Sequence, residues 1–336
     1  MIGFVEEKPI DWDVVNELLG SSATLNHYTN HGPVSIQLEQ TLMDMFEPDI
    51  LEPNRTVVTC ASGTSALFAL VEMHNLTHRK ELKWGVCSYS FHCMKQGPLR
   101  DAKVIDCNES GMLDIEKFDA TDCNAMLVTN PFGIVDNLDE HKNYCRDNKK
   151  VLICDSCSSF DALTNHDVDQ AFSFHHTKPW GFGEGGAVII NKKNKDLFKT
   201  LINFGSHGDF SAAIKKRATN AKLSDVSAAF ILQRLREYPY IASDDTERYR
   251  RVQGLAGEFG MKCLGNKPQS PNTVPLLCPK KTKSLDNPYV KLQKYYRPVA
   301  GTPNATDIYS RIINFPCHAG IDLLSDTVIS ECLSIF

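Results

Sequence analysis

The chain has no apolar run approaching the ~20 residues needed to span a bilayer. Its opening stretch, Met1 to Pro9, carries two glutamates and no signal-peptide core. It has no excess of positive charge. The net charge is −5, and the basic runs Lys215-Lys216-Arg217 and Lys280-Lys281 are short. Neither nucleic acid nor an anionic membrane is therefore expected as a partner. It also lacks internal repeats, low-complexity segments and a second C-x-x-C to complete the zinc set that Cys154 and Cys157 could begin. No metal is expected. These absences leave a soluble, cytoplasmic protein whose twelve cysteines stay reduced and mostly buried.

What is present is ordinary in bulk. The 336 residues are 42% hydrophobic and 23% charged, enough for one large domain and a smaller one. Short buried strands alternate with helices: Thr56–Cys60, Trp84–Cys87, Lys103–Asp106, Ala125–Thr129 and Val151–Cys154 read as strands. Pro9–Leu19, Val34–Phe46 (stopped by Pro48), Asp136–Asn148 and Asn194–Phe204 read as helices, and the segment from Phe91 leads into another. Lys222–Tyr238 has strong helical periodicity, with Pro239 expected to end it, and Thr246–Phe259 is expected to form a separate helix. This rhythm predicts an α/β fold with a mostly parallel central sheet flanked by helices in residues 1–238. From about 239 to 336 prolines increase and elements shorten, which suggests a small C-terminal α+β domain.

Two features fall where such sheets bind ligands, beyond the carboxyl ends of strands, and a third is a lysine in an unusual loop. Ala61-Ser62-Gly63-Thr64-Ser65 links a strand to a helix N-terminus, whose free amides suit phosphate and whose small residues also suit simple capping. Asp155 ends a strand. Lys178 lies between the apolar run Ala171–Phe174 and four glycines within 181–186. It marks either a tight strand-to-strand turn or an amine that loses hydration and becomes nucleophilic. With Ser173 five positions upstream, the set matches the needs of pyridoxal 5′-phosphate. The lysine would hold the aldehyde as a Schiff base, the carboxylate would keep the pyridine nitrogen protonated, and hydroxyls and amides would bind phosphate.

The motifs also resemble a known family, the DegT/DnrJ/StrS sugar-nucleotide aminotransferases of the aspartate-aminotransferase fold. Ser62-Gly63-Thr64-Ser65-Ala66-Leu67 is similar to its S-G-T-x-A-L turn. Ser173-Phe174-His175-x-x-Lys178 and Gly183-Glu184-Gly185-Gly186-Ala187-Val188 resemble its S-F-H-x-x-K and G-E-G-G-A-V. Thr29-Asn30-x-Gly32-Pro33, Ser88-Tyr89-Ser90-Phe91, Asn220-x-Lys222-Leu223-Ser224-Asp225 and Phe315-Pro316-x-His318 match other segments in order. The resemblance implies fold type I of the pyridoxal-phosphate-dependent transferases. Lys178 and Asp155 would be catalytic. Gly63, Thr64, Ser65 and Ser173 would bind the phosphate end, Phe91 would stack on the ring, and Asn220 would reach the phosphate of the neighbouring subunit in a homodimer with shared active sites. Asn30, His176 and His318 would face substrate, whereas His207 is read as a loop histidine. Ser158 belongs to the cofactor set but stands where the family has glutamine or histidine, and Cys154 replaces a common glutamate. The implied activity is ping-pong transfer of an amino group from L-glutamate to C-4 or C-3 of a nucleotide-linked 4-keto-6-deoxyhexose. Lys178 argues against the dehydratase branch, where histidine replaces the lysine. A catalytically altered or regulatory descendant, or a C-x-x-C thiol-redox or zinc protein, are the alternatives.

Overall fold

The computed structural model describes residues 1–46, 54–78, 82–133, 138–158, 167–206, 211–265, 271–282 and 285–336. Pro48, Asp136 and His207 lie outside them. Two helices open the chain, α1 (Trp12–Leu25) and α2 (Pro33–Met45). Asp11 caps α1, accepting the Asp13 and Val14 amides, so this helix starts later than Pro9. Then follow β1 (Arg55–Cys60), α3 (Gly63–Thr77), β2 (Trp84–Cys87), β3 (Lys103–Ile105), the short α4 (Ile115–Asp119), β4 (Ala125–Thr129), α5 (Asp139–Asp147) and β5 (Val151–Asp155). The large unit closes with β6 (Asp169–Ser173), β7 (Gly186–Asn191), α6 (Lys195–Ile202) and the short α7 (Ala212–Lys215). After Phe91 the chain forms only two 3-10 turns, His92–Lys95 and Gly97–Leu99. Gly97 at φ +50 and Pro98 interrupt a longer helix.

The seven strands order as β1-β7-β6-β5-β4-β2-β3. Strands β6, β5, β4, β2 and β3 are parallel to their neighbours, and β7 alone runs antiparallel, against both β1 and β6. Strands β1, β4 and β6 are buried along their whole length, as expected where helices cover both faces. One face packs α3 and α6 against Val58, Leu127, Ile153 and Val188. The register sets Thr129 beside Asp155, Asp155 beside Ala171, and Gly186 between Ser173 and Cys60. Strands β1, β4, β5 and β6 thus end, and β7 begins, on one edge.

The C-terminal unit follows α8 (Asp225–Gly257) and contains β8 (Lys262–Cys263), β9 (Thr273–Leu277), α9 (Pro303–Arg311), β10 (Ile312–Pro316) and α10 (Asp326–Ser334). Its antiparallel sheet orders as β10-β9-β8. Pro239 does not end a helix: α8 runs 33 residues straight through it, so the two helices read from the sequence are one. An interior proline removes one hydrogen bond and crowds the preceding turn. Packing at both ends outweighs that cost. Ala228, Ala229, Ile231, Leu232 and Leu235 join the core of α1 and α2, while Tyr249, Val252 and Ala256 join the core of the C-terminal sheet. Among the described residues, no helix is long and apolar enough to cross a membrane.

The start of α8 also fixes α2. Fully buried Asp225 accepts the Ser22 hydroxyl at 2.6 Å and the Val34 and Ser35 amides at 3.1 and 3.0 Å. Gly32 is required there, because a Cβ would lie 2.4 Å from the Asp225 carboxylate. Asp225→Ala strands a buried hydroxyl and two buried amides at a helix N-terminus. It should lower unfolding stability by about 3 kcal/mol or more, against about 1 kcal/mol for Ser224→Ala, which removes only the α8 cap. Urea unfolding of both variants checks this, and equal losses would show that Asp225 is not the clamp.

Candidate active site

A pocket of about 540 Å³ lies along the carboxyl edge of the sheet. Each segment reaches it for a local reason. Strand β1 passes through Ser62, whose hydroxyl accepts the Ser65 amide at 3.1 Å and starts α3. Gly63 and Thr64, the first residues of that helix, line the pocket. A Cβ on Gly63 would stand 2.6 Å from Cys157 Sγ and 2.9 Å from Ser173 Cβ, so only glycine lets the three segments meet. Gly186 does the same from β7, where a Cβ would meet the Ser62 carbonyl at 2.4 Å. The result is a small-residue cradle at a helix N-terminus, where amides and the helix dipole favour a phosphate.

Asp155, at the end of β5, is buried and accepts the Cys157 amide at 3.0 Å and the Thr129 hydroxyl at 3.5 Å. Burial pushes its pKa up, with the Cys157 hydrogen bonds and Lys178 opposing. Lys178 sits in the loop between β6 and β7. Burial pushes its pKa down from 10.5, and Cys157 and Asp155 oppose the shift. Its amine donates to Ser158 Oγ at 3.1 Å, and that oxygen lies 2.6 Å from the Tyr296 hydroxyl.

The loop that carries Lys178 turns inward, so its carbonyls need donors. Lys8, from the N-terminal arm, donates to the carbonyl oxygens of His176 at 2.7 Å, Gly181 at 2.6 Å and Lys178 itself. Burial and the Arg234 guanidinium push the Lys8 pKa down to about 7, with Glu6 and Asp245 opposing. Arg234, buried on α8, donates to the Pro179 carbonyl at 2.6 Å and pairs with Glu6. Trp180 is fully buried and donates to the Ser173 carbonyl at 2.8 Å.

The residues read from the sequence divide into two groups. Gly63, Thr64, Phe91, Asp155, Ser158, Ser173 and Lys178 all line this one pocket. Phe91 is half-exposed there, its ring tilted at 42° against that of His92. The others stand elsewhere. Ser65 is bound to the Ser62 cap. Asn30, at φ 55, is exposed in the turn before α2. Asn220 is exposed and accepts from Lys222 at 2.5 Å. His176 meets Phe182 edge-on. His318 binds the Gly3 carbonyl at 3.0 Å and caps a short turn in the C-terminal unit. Sequence reasoning missed Phe4, Phe132, Asn272, Tyr295 and Tyr296, which also line the pocket. The pair Tyr295-Tyr296 was the available signal; nothing local singles out Lys8.

All twelve cysteines are free. Burial pushes the Cys154 thiol up to about 12 and Cys157 well above its ordinary value, the reverse of what a reactive thiol needs. Among the described residues, no three His, Cys, Asp or Glu side chains could hold a metal together.

The architecture is that of the fold type I pyridoxal-phosphate-dependent transferases. Helicobacter pylori PseC, an aminotransferase involved in pseudoaminic acid biosynthesis, superposes with a TM-score of 0.80 over 98% of this chain and 97% of that one, at 19% identity. A DegT DnrJ EryC1 StrS aminotransferase from Brucella abortus gives 0.75 over 96% and 94%, at 17% identity. Residues 14–333 match the sequence model of the DegT/DnrJ/EryC1/StrS aminotransferase family, and the chain belongs to that family. A Mycobacterium tuberculosis protein is 27% identical over 63% of this chain and 55% of its own length. The UDP-4-amino-4,6-dideoxy-N-acetyl-beta-L-altrosamine transaminase of Helicobacter pylori is 27% identical over 46% of this chain and 48% of its own. The chain thus spans about half the length of these two relatives.

The family's cofactor, pyridoxal 5′-phosphate, fits the residues present. The Gly63 cradle admits a phosphate where a larger residue would block it, and a buried carboxylate and an amine share the same cavity. Two predictions follow from the geometry. Gly63→Ala should weaken cofactor affinity at least ~10-fold, because the backbone must move to relieve the 2.9 Å contact with Ser173 Cβ; fluorescence titration measures it, and unchanged affinity would rule the cradle out. In the cofactor-free chain, acylation of Lys178 should titrate below pH 10.5. Asp155→Asn should lower that midpoint further, since it removes an anion that stabilises the ammonium. A rise instead would separate the two side chains electrostatically.

Proposed function

We propose that this protein is a pyridoxal-phosphate-dependent aminotransferase that moves an amino group from L-glutamate to a nucleotide-linked keto-sugar. The observation that carries the reading is the meeting of the Lys178 amine, the Asp155 carboxylate and the α3 N-terminus in one pocket. When bound, the cofactor supplies an electron sink that makes the hydrogen beside the amine acidic. The protein's residues do the rest. Gly63, Thr64 and Ser173 hold the phosphate end, and Asp155 holds a proton on the ring nitrogen. Lys178 would hold the cofactor and move a proton to and from the substrate carbon, a role favoured by the burial that lowers its amine pKa. Phe91 and Phe132 offer apolar faces to the ring. The H. pylori relative named as an amino-sugar transaminase supports the sugar class. Asn220 is exposed and lies outside the pocket of its own chain, which is compatible with a role at the phosphate of a second subunit, and a homodimer with shared sites is part of this reading.

A panel of keto-sugar nucleotides with L-glutamate as donor tests this. Amino-sugar product should form with at least one member, and Lys178→Ala should lower turnover by 10³-fold or more. Product formation that survives in Lys178→Ala, or no product with any sugar despite bound cofactor, would refute the proposal.

A further inference from the structure

Ser158 is too short to reach far, yet its oxygen stands between two groups, Lys178 Nζ at 3.1 Å and the Tyr296 hydroxyl at 2.6 Å. Tyr296 comes from the C-terminal unit, 138 residues along the chain from Ser158. Its ring is fixed. It stacks on Phe132 with centroids 5.0 Å apart and meets Tyr89 edge-on at 6.1 Å. The flanking segment is pinned as well. Tyr89 donates its hydroxyl to the Tyr295 carbonyl at 2.6 Å, and Ser88 donates to the Ala300 carbonyl at 2.7 Å. Asp106 takes the Thr302 hydroxyl at 2.6 Å and the Asn304 and Ala305 amides at 3.1 Å each. The hydroxyl therefore reaches Ser158 from a rigid support.

A serine hydroxyl has one proton and two lone pairs. When Lys178 is an ammonium, Ser158 accepts from it. When Lys178 is a neutral amine, Ser158 can donate to the nitrogen lone pair, and a donor to its oxygen strengthens that bond. Tyr296 can supply that donor, since either hydroxyl of the 2.6 Å pair can give the proton. The three groups thus form a hydrogen-bond chain that can point either way without ionising the tyrosine, whose own pKa burial pushes up.

We propose that Tyr296 is a positioning residue that acts through Ser158 to favour the neutral amine of Lys178. By donating to one lone pair of Ser158 Oγ it makes that hydroxyl a better donor and a poorer acceptor toward the amine. This links the C-terminal unit to the proton state of the group that does the chemistry. It rests on the aminotransferase reading for its purpose, but not for its measurement.

The test titrates Lys178 in the full-length, cofactor-free chain, by pH-dependent acetic anhydride labelling read by mass spectrometry of the Lys178 peptide. Tyr296→Phe keeps the ring packing and removes the donor. The midpoint should rise by about 0.5–1 pH unit, the worth of one net hydrogen bond. In a Ser158→Ala background the same tyrosine change should do nothing, whereas Ser158→Thr alone should keep the wild-type midpoint. A Tyr296→Phe midpoint equal to wild type overturns the proposal, as does an equal rise with and without the serine hydroxyl, which would make Tyr296 only structural. Should Tyr296→Phe fail to fold, Ser158→Ala and Ser158→Thr decide: the alanine variant must move the midpoint and the threonine variant must not. Borohydride trapping of pyridoxal phosphate on Lys178 is scored separately. Its failure would remove the aminotransferase reading and leave the titration result standing.

Discussion

The site depends on one constraint: the loop carrying Lys178 folds into the protein, and its peptide carbonyls must find donors away from water. An unpaired buried carbonyl costs on the order of 1–3 kcal/mol, so four of them would expel the loop. Two cations meet the need. Lys8 spreads three N–H donors over the carbonyls of His176, Lys178 and Gly181, and Arg234 takes that of Pro179. An ammonium matches three acceptors well, and Glu6 beside Arg234 offsets part of the added charge. With its backbone held from behind, the Lys178 side chain is left to face Asp155 and Ser158.

The same economy explains the N-terminal arm. Ile2 bridges to Val290, the Gly3 carbonyl takes His318, Phe4 packs edge-on against Tyr295, and Lys8 grips the lysine loop. A few residues thus join the C-terminal unit, the pocket wall and the Lys178 loop. The Asp106 hydrogen bonds to Thr302, Asn304 and Ala305 make a second tie between the two units. Side chains from both units therefore meet over the pocket with little freedom to drift.

Much of this was legible in the chain because it is local. The strand-to-helix turn at Gly63, the strand-ending Asp155 and the lysine ahead of four glycines each carry their signal within a dozen residues, and sheet topology alone brings them to one edge. What was hidden is long-range. Nothing near Ser158 points to Tyr296, and nothing near Lys178 points to Lys8. The segment Phe315-Pro316-x-His318 showed only a family likeness; that its histidine ring meets Gly3 and Gly320 depends on the distant N-terminal arm. Pro239 misled for the opposite reason. It is a strong local stop signal, overridden by two hydrophobic cores that grip α8 on either side.

The electrostatics of the pocket follow from that architecture. Burial works against both formal charges, raising Asp155 and lowering Lys178, and neither partner fully restores the other. A cavity arranged this way is poor as a permanent ion pair and good as a receptor. A ligand with a protonatable ring nitrogen at one end could take the carboxylate as counter-ion, while the Lys178 amine would hold an aldehyde and the α3 N-terminus a phosphate. The two strained ionisations are relieved by the same molecule at different atoms. The desolvation of Lys178 and Asp155 on one sheet edge would then serve both affinity for such a cofactor and readiness for its chemistry, beside the phosphate cradle at Gly63.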